Sequence, residues 1–354
     1  MLSQRVVTFL ATYPVAEGDM LMRRRLGRCR ASPQLARVYS TRPQMQQPAL
    51  SARQLALAPV VGAAAGFITA SVGVGAAAVQ VPMLTASWTL ALPHVIATST
   101  GLASMLAGVV GAAYKYSAAD TVDPVVAGCL ALPAMITSVV GAKLASGIAP
   151  PLLKLIWACC AATAATGAIY TSQPKQRVSV SPAESLPPLD RSRAGGWVPP
   201  WASYSGLIAR FERLTVTEGM QHAVAGAGVG LLNGLIGVGG TPFVMAYLAL
   251  FTEMTQHEVL GTTMVAVVPG VVTGVATHAL LGNLHWQVLS LLCGGSMTGA
   301  AIGAGVSLST DELKLKQAFA GVMTVIAASV LRSAIRGGAL QAVPIIGRRF
   351  RGKF

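Results

Sequence analysis

The chain has 354 residues, of which 53% are hydrophobic and 11% are charged, and its formal net charge is +14. A soluble domain carries about 25% charged residues, so this composition excludes a soluble globular protein, and the high hydrophobicity excludes a disordered chain. The mean hydropathy of +0.60 indicates an integral membrane protein whose solvent is the lipid bilayer.

The basic residues lie mostly outside the apolar stretches. Nine arginines fall within residues 1–53, and most of the other basic residues lie in a middle segment and at the C-terminus. Charges that flank apolar stretches are typical of the positive-inside rule, whereas nucleic-acid binders gather such charges on one folded face. We therefore expect no nucleic-acid partner.

Residues 1–53 have the composition of an organellar targeting segment. They are rich in arginine, contain only two acids and lack the apolar core of a secretory signal peptide. The run Arg37-Val38-Tyr39-Ser40 resembles a mitochondrial processing site, which predicts cleavage near Tyr39/Ser40 and a location in the mitochondrial inner membrane. A plastid leader and a basic arm that only orients the protein are the alternatives.

Eight stretches lack Asp, Glu, Lys and Arg and approach the roughly 20 residues that a membrane-spanning helix needs. They are 57–84, 93–114, 124–142, 155–172, 220–251, 259–284, 286–310 and 317–331. These stretches predict an all-α membrane protein with about eight transmembrane segments, four in residues 57–172 and four in residues 220–335. A Pro- and Arg-rich linker at 173–218 lies between the groups, and a basic tail occupies 336–354.

The two groups match in sequence at a constant shift of 164 residues. Gly62, Gly66, Gly73 and Gly75 fall on Gly226, Gly230, Gly237 and Gly239, and Val95, Thr98, Cys129, Gly141 and Leu144 fall on Val259, Thr262, Cys293, Gly305 and Leu308. This register predicts a duplication. Internal repeats of membrane helices are typical of secondary transporters, whose substrate site lies at the repeat interface.

The charges favour parallel repeats but leave an alternative. If all eight segments cross the membrane, the N-terminus, the linker and the tail share one side, which then holds nearly all basic residues. Lys143, Lys154, Lys314 and Lys316 would lie on the opposite side. An inverted arrangement, in which the first segment of each half is a re-entrant hairpin, is therefore retained as the alternative.

The first segment of each half is interrupted by glycine at the same place. The first interruption holds Gly73 and Gly75, and the second holds Gly237, Gly239 and Gly240, followed by Thr241 and Pro242. Glycine and proline disfavour a helix interior, so we predict broken helices here. The freed N–H groups and the positive end of a half-helix form an anion site. Packing through small residues is the alternative, and it is the interpretation preferred for Gly62, Gly66, Gly226 and Gly230.

The second segment of each half opens with hydroxyl side chains. Thr98 and Ser99 stand in the first half, and Thr262 and Thr263 in the second. Because a hydroxyl can donate a hydrogen bond to an oxoanion, these residues are candidate substrate ligands. The same hydroxyls could instead bond back to their own helices.

These motifs resemble the TauE/SafE-type sulfite exporter family. The resemblance rests on Gly73-Val74-Gly75 with Val81-Pro82-Met83-Leu84 in the first copy, and on Gly237-Val238-Gly239-Gly240 with Gly261-Thr262-Thr263 in the second. It covers about residues 57–335 and implies a permease for small, often sulfur-containing anions. The first copy has Ala76-Ala77-Ala78 in place of a glycine run, so a ligand-binding backbone is expected either in both halves or only in the second.

The remaining side chains suggest few other roles. No charged residue lies deep within a predicted span, and Lys115 and Lys143 are interpreted as boundary anchors. His278 and His94 are candidates for proton coupling, since histidine titrates near neutral pH, although an interfacial histidine is the commoner case. The five cysteines lack the spacing of a metal site, so packing is their expected role.

Three classes of function were compared. An enzyme is disfavoured because the chain lacks histidine boxes, a nucleophile elbow and a nucleotide loop, and we expect no catalytic residue, cofactor or metal. The leading hypothesis is a secondary transporter of small sulfur-containing anions in an organellar membrane. A membrane scaffold or assembly factor is the alternative, and a homo-oligomer is compatible with either.

Overall fold

A computed structural model describes residues 50–86, 89–145, 148, 150–172, 214–237, 239–280 and 282–336. Residues 1–49 of the predicted targeting segment, most of the linker and nearly all of the basic tail therefore lie outside the described residues, whereas residues 50–53 are described and lead into the first helix. Side chains are described throughout these ranges except at a few positions, which include His94 and Lys143.

The described residues form ten α-helices and no strand, which confirms an all-α fold. The helices are α1 Ala52–Val72, α2 Ala76–Thr85, α3 His94–Ala118, α4 Pro124–Ala145, α5 Pro150–Ser172, α6 Val216–Ile236, α7 Thr241–Phe251, α8 Gln256–Leu280, α9 Trp286–Leu308 and α10 Glu312–Arg336. The predicted break in the first segment of each half is also confirmed, because α1 and α2 take the place of one segment and α6 and α7 take the place of another.

Seven of the described helices are long and apolar enough to cross a bilayer, namely α1, α3, α4, α5, α8, α9 and α10. The helix α6 is as long as α1, since both have 21 residues. It falls outside this set and carries Glu218 and His222 in its first two turns. The helices α2 and α7 have 10 and 11 residues and are too short to cross alone.

The first helix of each repeat begins and ends in the same way. A capping box starts α1, where Ser51 and Gln54 satisfy each other's backbone N–H groups, and Thr215 and Glu218 do the same for α6. Both helices end at a glycine in the left-handed conformation, Gly73 with φ +83° and Gly237 with φ +71°. Local sequence therefore fixes equivalent helices in the two repeats.

The helices α1 and α2 form a hairpin rather than one crossing. Leu84, near the end of α2, is buried against Ala58 and Val61 near the start of α1. In the loop that follows α2, the carbonyl of Thr89 accepts a hydrogen bond from Gln54 Nε2 at 3.3 Å. The chain therefore returns to the face at which α1 began, as the re-entrant alternative predicts.

The helices α6 and α7 fold back in the same way. His222 in the second turn of α6 lies close to Tyr247 in the second half of α7, with 2.9 Å between Nδ1 and the phenol oxygen. The two rings also meet edge to face. The first segment of each half is thus a helical hairpin that enters the bundle and returns.

Close glycine contacts give the relative directions of α1 and α9. A Cβ placed on any of three glycines of α9 would collide with a carbonyl oxygen of α1. The three pairs are Gly295 with Pro59, Gly299 with Ala63 and Gly303 with Phe67. Both numbers rise in steps of four, so α1 and α9 run parallel and their backbones touch.

The second repeat makes the same contact with its partner exchanged. Gly226 and Gly230 of α6 lie against the carbonyl oxygens of Leu130 and Ala134 of α4. Gly62 and Gly66 lie equally close to Leu292 and Ser296 of α9. The predicted packing role of these four glycines is therefore confirmed, and the first helix of each repeat packs on the fourth helix of the other.

The directions of the helices make the repeats inverted. Thr100 near the start of α3 contacts His285 before α9, and Gly108 of α3 contacts Ser296 of α9, so α3 runs parallel to α9 and α1. At the bundle edge α5 and α10 run antiparallel, with Lys154 Nζ 3.2 Å from Ser333 Oγ. Each repeat thus passes through the bundle five times, counting the short return helix, and an odd number reverses the second repeat.

The expectation of parallel repeats was wrong for this reason. The described residues at 51, 148 and 336 lie on one face, called the terminal face below, and those at 120, 172, 216 and 310 lie on the opposite face, called the linker face. Lys154 belongs to the terminal face, while Lys314 and Lys316 belong to the linker face. The linker therefore joins the repeats on the side opposite to the two ends.

The constant shift of 164 residues is also corrected. It holds for α1 and α6, which begin at 52 and 216, but α3 and α8 begin at 94 and 256, a shift of 162. The chain is two residues longer at 73–93 than at 237–255. The structural counterpart of Thr262 is therefore Thr100 and not Thr98, and the pairings proposed for Val95, Cys129, Gly141 and Leu144 are likewise displaced by two residues.

Replacing Gly299 by leucine should destabilise the bundle. The new side chain would collide with the backbone of α1 at Ala63, and overpacking of this kind costs about 1–3 kcal/mol or more. Gly294→Leu on the same helix is the control, because no atom lies within 4 Å of a Cβ placed there. Thermal unfolding in detergent should show a lower Tm for Gly299→Leu, and equal Tm values for the two variants would contradict the parallel contact of α1 and α9.

Candidate functional site

The turn of the first hairpin, residues 73–77 and called tip 1 below, carries a run of unpaired backbone donors. Gly73 donates to the carbonyl of Thr69 at 2.8 Å and closes α1. The next N–H group along the chain that has an acceptor is that of Ala78, which donates to the Gly75 carbonyl at 3.1 Å. Among the described residues, the N–H groups at positions 74, 75, 76 and 77 have no hydrogen-bond partner.

These donors lie deep inside the protein. Val74 and Ala77 are 0% exposed and Ala76 is 1% exposed. Gly75, with φ +71°, starts α2 without any side-chain cap. The positive end of the α2 dipole and several adjacent N–H groups are therefore buried together, an arrangement that favours an anion.

The turn of the second hairpin, residues 237–241 and called tip 2 below, satisfies most of its own donors. Gly237 donates to the backbone carbonyl of Asn233 at 2.7 Å, and Gly239 donates to the Asn233 side-chain oxygen at 2.9 Å. The N–H and the hydroxyl of Thr241 both donate to the Gly239 carbonyl. Pro242 has no N–H, so Gly240 retains the one unpaired donor among the described residues of tip 2.

Each tip is inserted against the other repeat. Gly73 lies against the side chains of Met245 in α7 and Leu260 in α8. Tip 2 lies against α3: Gly237 faces the Thr98 methyl group, and Gly239 faces Leu102 and Met105. Of the residues predicted to bind substrate, Thr98 therefore lies beside tip 2. Gly73 and Gly75 belong to tip 1, and Gly237, Gly239, Gly240 and Thr241 belong to tip 2.

Two of the other predicted hydroxyl ligands have intramolecular partners. Ser99 Oγ donates to the carbonyl oxygens of Val95 and Asn283. Thr262 Oγ1 accepts from the backbone N–H of Asp123 at 3.0 Å, and its counterpart Thr100 accepts from that of His285 at 3.1 Å. These hydroxyls tie the starts of α8 and α3 to loops of the opposite repeat.

Five buried side chains of the described residues have a polar atom without a partner, and two of them, Thr263 and Gln80, belong to helices at tip 1. Thr263 is 0% exposed and its hydroxyl has no hydrogen-bond partner. Gln80 in α2 is also 0% exposed. Its oxygen accepts from Ser104 Oγ at 2.8 Å, whereas its Nε2 has no partner. Sequence reasoning named Thr263 but missed Gln80, although an amide within an otherwise apolar ten-residue helix was a visible signal.

The two candidate proton-coupling histidines stand near the terminal face. His278 lies in the last turn of α8, with Nδ1 3.4 Å from Asn283 Nδ2. Asn283 in turn belongs to the loop that receives Ser99. His94 is the first residue of α3, and its side chain is outside the described residues.

The sequence matches the family described as Sulfite exporter TauE/SafE over residues 58–330, which is well over half of the chain. The chain belongs to the TauE/SafE family. The match spans every described helix from α1 to α10, so the TauE/SafE assignment covers both hairpins and the repeat interface.

A curated relative agrees with this assignment. Over 110 residues, the TauE/SafE chain is 26% identical to the "Probable membrane transporter protein YdhB" of Bacillus subtilis (strain 168). That stretch is 31% of this chain and 45% of the relative, so the chain matches less than half of the relative's length. No solved structure matches the chain. Family and fold together identify an integral membrane protein of the TauE/SafE family.

Removing the hydroxyl of Thr262 or Thr100 should weaken the fold without touching either tip. Valine at either position leaves a backbone N–H without its acceptor, and an unsatisfied buried donor costs about 1–3 kcal/mol. Thr298→Val is the control, because Thr298 is exposed and its hydroxyl bonds to its own helix. Thermal unfolding should show similar losses for Thr262→Val and Thr100→Val. A normal Tm together with lost transport would instead assign these hydroxyls to the substrate.

Proposed function

We propose that this TauE/SafE protein is a secondary transporter that moves small sulfur-containing anions, of the sulfite, sulfonate or thiosulfate class, across an organellar membrane. The observation that carries the proposal is tip 1, where the N–H groups of Val74, Gly75, Ala76 and Ala77 are buried and unpaired. The family match supports the chemical class of the substrate.

An anion explains why such a turn is stable in a membrane protein. Each unsatisfied N–H group in a dry interior costs about 1–3 kcal/mol, and irregular backbone at membrane depth occurs only where it is buried in protein or lines a wet cavity. An oxoanion offers several acceptor oxygens, so one ligand can pair with adjacent N–H groups. Both the donors and the dipole of α2 favour a negative charge at this point.

The inverted repeats supply a route for alternating access. Transporters built from such repeats expose a central site to each face in turn by moving one bundle of helices against another around that site. Here tip 1 meets α7 and α8, and tip 2 meets α3. Small residues join α1 to α9 and α6 to α4, so we expect each of these pairs to move as a unit.

The predicted leader supports an orientation for the protein. The described helix ends carry basic residues on both faces, with Arg53, Lys154, Arg332 and Arg336 on the terminal face and Lys115, Lys314 and Lys316 on the linker face. The leader precedes α1 at the terminal face, so we expect this face to point to the compartment into which a leader is drawn. For a mitochondrial inner membrane protein this is the matrix, into which the predicted leader at 1–53 would be drawn.

Reconstituted full-length protein should carry labelled sulfite across liposomes in a saturable manner. Ala77→Pro removes one tip 1 donor and copies Pro242, the second residue of α7, so the helix start should tolerate it. Loss of one hydrogen bond to a charged ligand should raise the KM for sulfite roughly tenfold. Uptake at a series of sulfite concentrations measures the change.

The matched control is Ala77→Gly, which keeps the N–H group and changes only the methyl group. Its KM should stay close to that of the native protein. Equal KM values for Ala77→Pro and Ala77→Gly would contradict binding at tip 1. No flux of sulfite, sulfonate or thiosulfate by the native protein would contradict transport altogether and favour the scaffold alternative.

The full chain with a C-terminal tag should reach the mitochondrial inner membrane and resist carbonate extraction. The tag should be protected from protease in mitoplasts, because the terminal face is expected in the matrix. N-terminal sequencing of the mature protein should begin at Ser40. Recovery of the tag in plastid or other membranes, or its digestion in intact mitoplasts, would overturn the proposed location or orientation.

A further inference from the structure

Gln80 places a second, independent kind of donor beside tip 1. Its side chain is fully buried, and its amide Nε2 has no partner. Ser104 Oγ lies 2.8 Å from the amide oxygen and 3.0 Å from the Gly101 carbonyl oxygen, so the oxygen end of the amide faces α3. The nitrogen end therefore points away from Ser104, with two N–H groups free to donate.

The side chain leans toward the open end of α2. Gln80 Cβ and the amide oxygen both lie beside Gly101, 3.6 Å and 3.3 Å from the position of a Cβ there. Helical side chains lean toward the N-terminus of their own helix, and residues four apart share a face. The Gln80 side chain therefore lies on the face of α2 that also carries Ala76, one turn from tip 1.

We propose that Gln80 is a specificity-determining residue whose amide, together with the free N–H groups of tip 1, binds a singly charged oxoanion. The inference rests on the proposed transport function and narrows its substrate class. Methanesulfonate and hydrogensulfite carry one charge and present three oxygens to such donors. Sulfate and fully ionised sulfite carry two charges.

The neutrality of the donors favours a single charge. The side chains placed at this turn, at positions 74, 76, 77, 80 and 104, are all uncharged. Removing an ion from water costs free energy that rises with the square of its charge, and a buried ion is stabilised by paired charges or by hydrogen bonds. Peptide and amide donors can replace the hydration of a monoanion. A dianion loses about four times as much hydration free energy on burial, and the same donors do not compensate for that loss.

The second repeat shows that the fold itself does not require an amide here. Met245 is the fifth residue of α7, as Gln80 is of α2, and Ala266 takes the place of Ser104 at the shift of 162. The same backbone thus accepts a purely apolar pair of residues. The Gln80–Ser104 pair belongs to one repeat only, on the side where the backbone donors are free.

The test compares native protein with Gln80→Met, which copies the residue of the second repeat. In proteoliposomes the KM for labelled methanesulfonate should rise roughly tenfold or more in the variant, while the maximal rate stays within about twofold, as expected when one binding contact is lost. Gln287→Met, an exposed glutamine at the start of α9, should leave both parameters unchanged. The native protein should carry methanesulfonate at least about tenfold faster than sulfate.

A thermal-unfolding readout separates binding from a structural role. Because Gln80→Met removes an unpartnered buried amide, the unliganded variant should be as stable as the native protein or more stable. At the same concentration, methanesulfonate should raise the Tm of the native protein more than that of the variant. A structural glutamine would instead give a lower Tm and a normal ligand shift; Gln80→Leu replaces the variant if it does not fold.

Each result bears on a different part of the inference. An unchanged KM in both apolar variants would overturn the role of Gln80, and equal rates for sulfate and methanesulfonate would overturn the charge preference, while transport itself would stand in both cases. No flux of either anion by the native protein would defeat the proposed function and this inference together.

Discussion

The constraint on which this structure depends is that a peptide group inside a bilayer must find a hydrogen-bond partner. The long helices meet it through their own ladders, and two capping boxes and two left-handed glycines complete the ends of α1 and α6. The hairpin turns cannot meet it in this way, since a turn has no ladder. Both turns are buried inside the bundle, and their backbone includes N–H groups that the protein leaves without a hydrogen-bond partner. A polar solute that accepts these hydrogen bonds would be stabilised there.

The inverted repeats make that burial stable. The first helix of each repeat packs along the fourth helix of the other with backbones in direct contact, so the hairpins are held by the opposite repeat. Reciprocal hydrogen bonds from the backbone at Asp123 and His285 to Thr262 and Thr100 join the two repeats near opposite faces. If the protein transports by alternating access as proposed, these contacts would transmit a movement of one repeat to the hairpin of the other.

Most of the fold could be predicted from hydropathy and glycine pattern, but direction could not. Hydropathy does not show in which direction the chain runs, so a hairpin and a single crossing give the same pattern between residues 57 and 84. The charge at 154 was the informative signal, because an odd number of passes in each repeat moves this lysine to the terminal face, whereas Lys314 and Lys316 lie opposite the terminal face in both arrangements. The repeat register failed for a related reason: small residues at every few positions give matches at several shifts, and a two-residue difference in one loop is invisible until helix ends are located.

Sequence motifs likewise identify only part of the candidate site. Glycine runs marked both tips, yet the richer set of free donors belongs to the alanines at 76 and 77, whose N–H groups no sequence motif records. The run that looked more complete, at 237–241, uses Asn233 and Pro242 to satisfy or remove its own donors. The two tips occupy equivalent positions in the repeats but differ in how far their N–H groups are hydrogen-bonded. One turn satisfies most of its own donors and packs against α3, and the other keeps four unpaired N–H groups near Gln80. Under the proposed function, the anion would therefore bind at the first turn without a competing site at the second.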